Sequence, residues 1–139
     1  MTQSLHRSRQ DVWTYALVGA LVAALLVVAN NLYTGLETEL SLNGVLVGGF
    51  VAGFLAARAS VDAAGAAVRA GLLGGSPALA WFLPPLVDFV TTSGGTWWYS
   101  LLQAGMVVVF VVTHLVFTAL IGLLGGVVGR WLYRFGATR

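Results

Sequence analysis

His114 is the one ionisable side chain that falls well inside a long apolar run, flanked by Val111, Val112, Leu115 and Val116. An ionisable group at such a place is a candidate for proton or ion transfer. Thr113 is adjacent, and Thr118 lies one helical turn further on. With Gln103, Asn30 and Asn43 these residues form the candidate pathway of a small transporter or channel. The plainer role for His114, and the expected one, is a neutral ring hydrogen-bonded to a threonine or a backbone carbonyl. No apolar run supplies a carboxylate to pair with it. Asn30, Asn31 and Asn43 could line a polar vestibule at one end of the first two runs. Their plainer role is to cap helices and bond across a hairpin.

Other chemistry lacks its residues. The chain has two histidines, far apart, and no cysteine. That excludes a disulfide framework, a thiolate metal site and a cysteine nucleophile, and a lone histidine does not build a metal centre. The glycine-rich stretches sit in apolar runs without the Lys-Ser/Thr pair that grips phosphates. No catalytic, cofactor-binding or metal-binding residue is therefore expected, and an enzyme is not. All seven basic residues are arginines, and they form no stripe of the kind nucleic-acid binding requires.

Glycine at four-residue spacing is the strongest local pattern. Gly44/Gly48 and Gly49/Gly53 lie in the second apolar run, Gly71/Gly75 in the third, and Gly122/Gly126 and Gly125/Gly129 in the fourth. The first run carries Ala16, Ala20 and Ala24 instead. Residues four apart share a helix face, and glycine there lets two backbones approach closely. Such faces fit packing among the helices of one chain first, and a homo-oligomer or another membrane protein second.

These residues need elements to hold them, and composition says what those are. The chain has 139 residues, 58% hydrophobic and only 9% charged, with mean hydropathy +0.88. Soluble domains carry about 25% charged residues, so lipid is the expected covering. Four apolar spans are predicted, at about 12–31, 42–57, 69–85 and 100–130. About 20 helical residues cross a core about 30 Å thick. The first run is longer than the apolar core of a signal peptide, so a retained span is expected rather than cleavage after Ala29. Within the third, Pro77 predicts a kink, and Pro84-Pro85 predicts the end of the helix. Residues 87–96, with Asp88 and the polar Thr91 to Thr96, read as an exposed loop. Ser60 is a candidate cap for the third helix, with Asp62 in its first turn. From Trp97 to Tyr133 only glycines interrupt, so the last helix either projects past a bilayer or breaks, with Gly105 as the candidate break.

Charge orients the spans. Arg7, Arg9, Arg58, Arg69, Arg130, Arg134 and Arg139 fall in connections of one side with Asp11 and Asp62, seven against two and a net +5. The other side holds Glu37, Glu39 and Asp88, a net −3. Arginine-rich connections stay in the cytoplasm, which puts both termini there. Arg58 and Arg69 with Asp62 could hold an anionic headgroup, although ordinary orientation of the spans explains them. Glycines before Arg58 and before Arg130 faintly suggest a two-plus-two internal repeat.

The stretch Asn43-Gly-Val-Leu-Val-Gly-Gly-Phe-Val-Ala-Gly-Phe-Leu-Ala-Ala-Arg58, then Asp62-Ala-Ala-Gly65 and Val68-Arg69-Ala-Gly71-Leu-Leu-Gly74-Gly75-Ser-Pro77, resembles a family of small haloarchaeal four-span membrane proteins of unknown function. The resemblance covers roughly residues 42–77 and implies an archaeal cytoplasmic-membrane protein. It brings no activity and no functional residues. Small multidrug exporters carry a membrane-embedded glutamate in their first span, which is missing here. The motifs of dual-topology fluoride channels appear only as fragments in the wrong order.

The sequence thus predicts an all-α, polytopic transmembrane bundle of four helices, the last unusually long, in one domain. The expected function is non-enzymatic: a structural or interaction subunit of the cytoplasmic membrane, packing through glycine faces. The alternative is the small transporter or channel.

Overall fold

A computed structural model of the chain describes the backbone of residues 2–34, 42–92 and 94–137, and the side chains of 11–30, 32–33, 43–92 and 94–137. The connection bearing Glu37 and Glu39, Ser93 and Arg139 lie outside the described residues. So do the side chains of Arg7, Arg9 and Asn31. Four helices follow in order: α1 (Thr2–Thr34), α2 (Leu42–Arg58), α3 (Ala63–Thr92) and α4 (Trp97–Ala137). No strand occurs among the described residues. Within α1 the stretch Asp11–Asn30 is long and apolar enough to cross a membrane, as are α3 and α4. In α2 the apolar stretch Asn43–Arg58 is shorter.

Small residues decide how the helices meet. Gly48 of α2 faces Gly19 and Ala23 of α1, and Gly44 faces Ala23 and Val27, so α1 and α2 run antiparallel. Gly49 meets Gly122 and Gly53 meets Gly126, so α2 and α4 run parallel. Gly19 approaches Ala70 while Gly74 approaches Ala23, which makes α1 and α3 parallel too. Among the described residues α2 and α3 touch each other and both outer helices, whereas α1 and α4 do not meet. The cross-section is a rhombus with α2 and α3 on its short diagonal. A cluster of Val12, Ala52, Ala56, Ala63, Ala66 and Ala70 fills one side of it.

The α2–α3 connection is a four-residue turn, 59–62. Val61 N–H donates to Ala56 C=O at 3.0 Å and Ser60 N–H to Ala57 C=O at 3.1 Å. This paired pattern closes a helix C-terminus and requires a left-handed residue, here Ser60 at φ 57°. Ser60 therefore ends α2 and does not begin α3. The cap of α3 is Asp62, whose Oδ1 accepts from Gly65 N–H at 3.1 Å.

Two further expectations are corrected. Helix α3 does not stop at Pro84-Pro85; it begins at Ala63 and continues to Thr92 with Pro77, Pro84 and Pro85 inside. Proline fixes φ near a helical value, so it removes a donor without forcing an end where neighbours compensate. At Pro77 the compensation is visible. The carbonyl that loses its donor is that of Leu73, and Ser76 Oγ donates to it at 2.7 Å. Thr91 and Thr92 are helical as well, and their hydroxyls donate back to Val87 and Asp88 carbonyls at 3.0 and 2.5 Å. Helix α4, for its part, passes Gly105 unbroken for 41 residues, about 61 Å at 1.5 Å per residue.

That length has a consequence for shape. In the register set by Gly49 and Gly122, the first residue of α2 stands level with Leu115 of α4. Roughly 18 residues of α4, about 27 Å, therefore run on beyond the start of α2. Among the described residues only α3 is paired with them there, through Phe82 and Phe110 with ring centroids 6.3 Å apart.

Candidate functional site

The face of α4 that meets α3 carries Gln103, Phe110, His114 and Thr118, spaced to lie in one stripe. His114 is 7% exposed, and its Nε2 lies 3.2 Å from the carbonyl oxygen of Gly75. With the proton on Nε2 this ring nitrogen donates to that carbonyl. Glycine at 75 opens the approach, since a Cβ there would lie 2.5 Å from Thr118 Cγ2. Phe110 stacks against the imidazole, centroids 6.4 Å apart. Thr118 is fully buried, but its hydroxyl donates to Leu115 C=O at 3.0 Å rather than to the ring.

The other pathway candidates do not join His114. Thr113 is exposed, about 100° round the axis of α4 from His114. Gln103 is 5% exposed, three helical turns away, and its Nε2 has no hydrogen-bond partner among the described residues. Asn30 is half-buried on α1, the helix that α4 does not touch, and Asn43 is exposed at the start of α2. No group of three His, Asp or Glu side chains among the described residues could hold a metal ion.

The ten glycines singled out from the sequence are all buried between helices of the one chain. Gly49 faces Gly122, with 2.7 Å from a built Cβ to the Gly122 Cα. Gly71 faces Gly122 at 3.0 Å and the Thr118 carbonyl. Gly125 and Gly129 lie against the backbone of α2 at Leu46, Phe50 and Phe54. Added Cβ atoms would thus meet main chain, which cannot turn aside as a side chain can. Sequence reading missed Gly19 and Gly74. Gly19 presses on Gly48 and Ala52, and Gly74 on Ala23. The Gly19-to-Ala23 spacing carried the same signal as the stronger pairs, but the alanines at 16, 20 and 24 drew attention away from it.

At the other end of the bundle, Arg58 is exposed. Arg69 does not join it, since its guanidinium lies 4.8 Å over the Trp13 ring and ties α3 to α1. Asp62 is occupied as the α3 cap. The trio that could have held a headgroup is therefore dispersed, with Arg69 on Trp13 and Asp62 in the cap.

These features define an all-α bundle of four helices, with three long and apolar enough to cross a membrane. The chain belongs to a family of unknown function (DUF5518), whose profile matches residues 13–132 and so takes in part or all of every helix. No curated protein and no solved structure matches it.

Proposed function

We propose that the chain is a non-enzymatic structural or interaction subunit of a haloarchaeal cytoplasmic membrane. All four helices span, and both termini face the cytoplasm. The observation that carries the interaction reading is the length of α4. An unbroken apolar helix of about 61 Å outruns a bilayer of about 40–45 Å including its headgroups. The part that outruns α2 is lined by large apolar side chains, with Leu101, Met106, Val108 and Val109 more than half exposed. A protein partner, a second copy or a different membrane protein, covers such an arm more fully than lipid does.

Charge supports the orientation. Arg58, Arg69, Arg130 and Arg134 lie toward one end of the bundle, and Asp88 lies toward the other. Pairing of α2 with all three other helices supports a fourth span despite its 17 residues. The transport alternative has less behind it, because its candidate residues sit on different helices and faces. The glycine faces, in turn, support assembly within the chain.

Single cysteines at Ser60 and Thr96, in this cysteine-free chain, test the orientation with a membrane-impermeant thiol reagent on intact cells. Thr96→Cys is expected to label and Ser60→Cys to label only after lysis. The reverse pattern overturns the orientation. For the interaction reading, Val109→Glu is expected to reduce the mass of the complex purified in mild detergent while leaving helix content intact. An unchanged mass counts against it.

A further inference from the structure

The turn between α2 and α3 and the last turns of α4 line a half-open cavity of about 340 Å³. Its polar lining comes from Ser60, Asp62, Arg130, Tyr133 and Arg134. Arg130 and Arg134 are four residues apart on α4, so both lie on the helix face that meets the cavity. Each guanidinium is a planar fork of donors whose geometry matches phosphate oxygens. Asp62, the one carboxylate among the described lining residues, also accepts from Gly65 N–H as the cap of α3. Among the described residues the lining holds two guanidinium groups and one carboxylate, and the N-terminus of α3 adds the positive end of its dipole. The volume is at the small end of ligand sites, suited to a headgroup rather than a large organic molecule. Tyr133 forms part of the wall and packs edge-on against Phe54, centroids 5.9 Å apart. Trp131, beside it, is exposed. Tryptophan and tyrosine mark the depth at which lipid headgroups lie.

We propose that this cavity binds a phosphate-bearing anion, supplied by the headgroup of an anionic membrane lipid. Arg130 and Arg134 are the forked donors, and the hydroxyls of Tyr133 and Ser60 are the neutral ones. The set differs from Arg58 and Arg69, to which spacing in the sequence pointed. Basic pockets between membrane helices on the cytoplasmic side are a general mode of headgroup recognition. The lipid source rests on the membrane reading above; the phosphate chemistry rests on the cavity.

Native mass spectrometry of the full chain in mild detergent tests this. The chain is titrated with phosphatidylglycerol, phosphatidylcholine and inorganic phosphate. Phosphatidylglycerol is expected to bind in preference to phosphatidylcholine. Arg130→Gln and Arg134→Gln should each weaken it about fivefold, and Arg58→Gln, outside the cavity, by less than about twofold. Equal losses in all three variants, or no preference between the lipids, overturn the site. Displacement of the lipid by millimolar inorganic phosphate overturns the lipid source and assigns free phosphate. Alkaline extraction of membranes is the separate arm. A chain that resists extraction but shows no adduct sinks the cavity assignment alone. A chain that extracts with soluble proteins sinks the membrane reading.

Discussion

The two halves of α4 are both apolar and are opposite in circumstance. From Leu115 to Gly129 the helix is wedged against α2 and α3, and Thr118, Gly122, Gly125, Gly126 and Gly129 are buried. From Trp97 to Thr113 only Gln103 is buried, and Met106 and Val109 are 65% and 66% exposed. Both halves are apolar enough for a membrane, and glycine marks the one that is packed. In the first half glycine removes side chains where another backbone arrives. In the second, Gly105 has nothing within 4 Å of an added Cβ. Where no hydrophobic drive distinguishes lipid from protein, close backbone approach selects which apolar face is used inside.

The largest expected effect breaks this contrast directly. Gly122→Val puts methyl groups into the Ala67 and Gly71 backbone and should cost about 3 kcal/mol or more, since overpacking alone costs about 1–3. Gly105→Ala should instead be neutral or stabilise by up to about 1 kcal/mol through helix propensity. Thermal unfolding in detergent reads both, and equal destabilisation would erase the distinction between the halves. At the boundary, His114→Leu keeps bulk but loses the bond to Gly75. The expected loss is about 1 kcal/mol. Gln103→Met sharpens the outer half. Its amide is buried without a described partner, so the isolated chain should gain about 1 kcal/mol. A loss would mean that the amide is satisfied in solution. On α3, Ser76→Ala should cost about 0.5–1 kcal/mol, and nothing once Pro77→Ala has restored the donor to Leu73.

Most of this architecture was legible in the sequence, for a physical reason. Apolar length and sparse charge already dictate helices, and four-residue glycine spacing already marks the faces that meet. What could not be read is which face meets which helix. Gly44 and Gly48 turn to α1 while Gly49 and Gly53 turn to α4, although all four lie within ten residues. The prolines at 84 and 85 misled because their effect depends on what surrounds them. Ser60 misled because serine favours N-caps and seldom takes the left-handed conformation that closes a helix C-terminus, so only its positive φ shows which end it serves. The cavity at the arginine end joins residues about 70 apart in the chain, Ser60 and Arg130, a juxtaposition that no local spacing announces.

The central proposal is that α4, which holds the fold with one half, meets a protein partner with the other. A photo-crosslinking residue placed in native membranes at Val109, with Val127 as the comparison, tests it most directly. Both positions are exposed, at 66% and 55%. The account predicts a protein adduct from position 109 and lipid adducts alone from 127. Lipid adducts alone from both would contradict it.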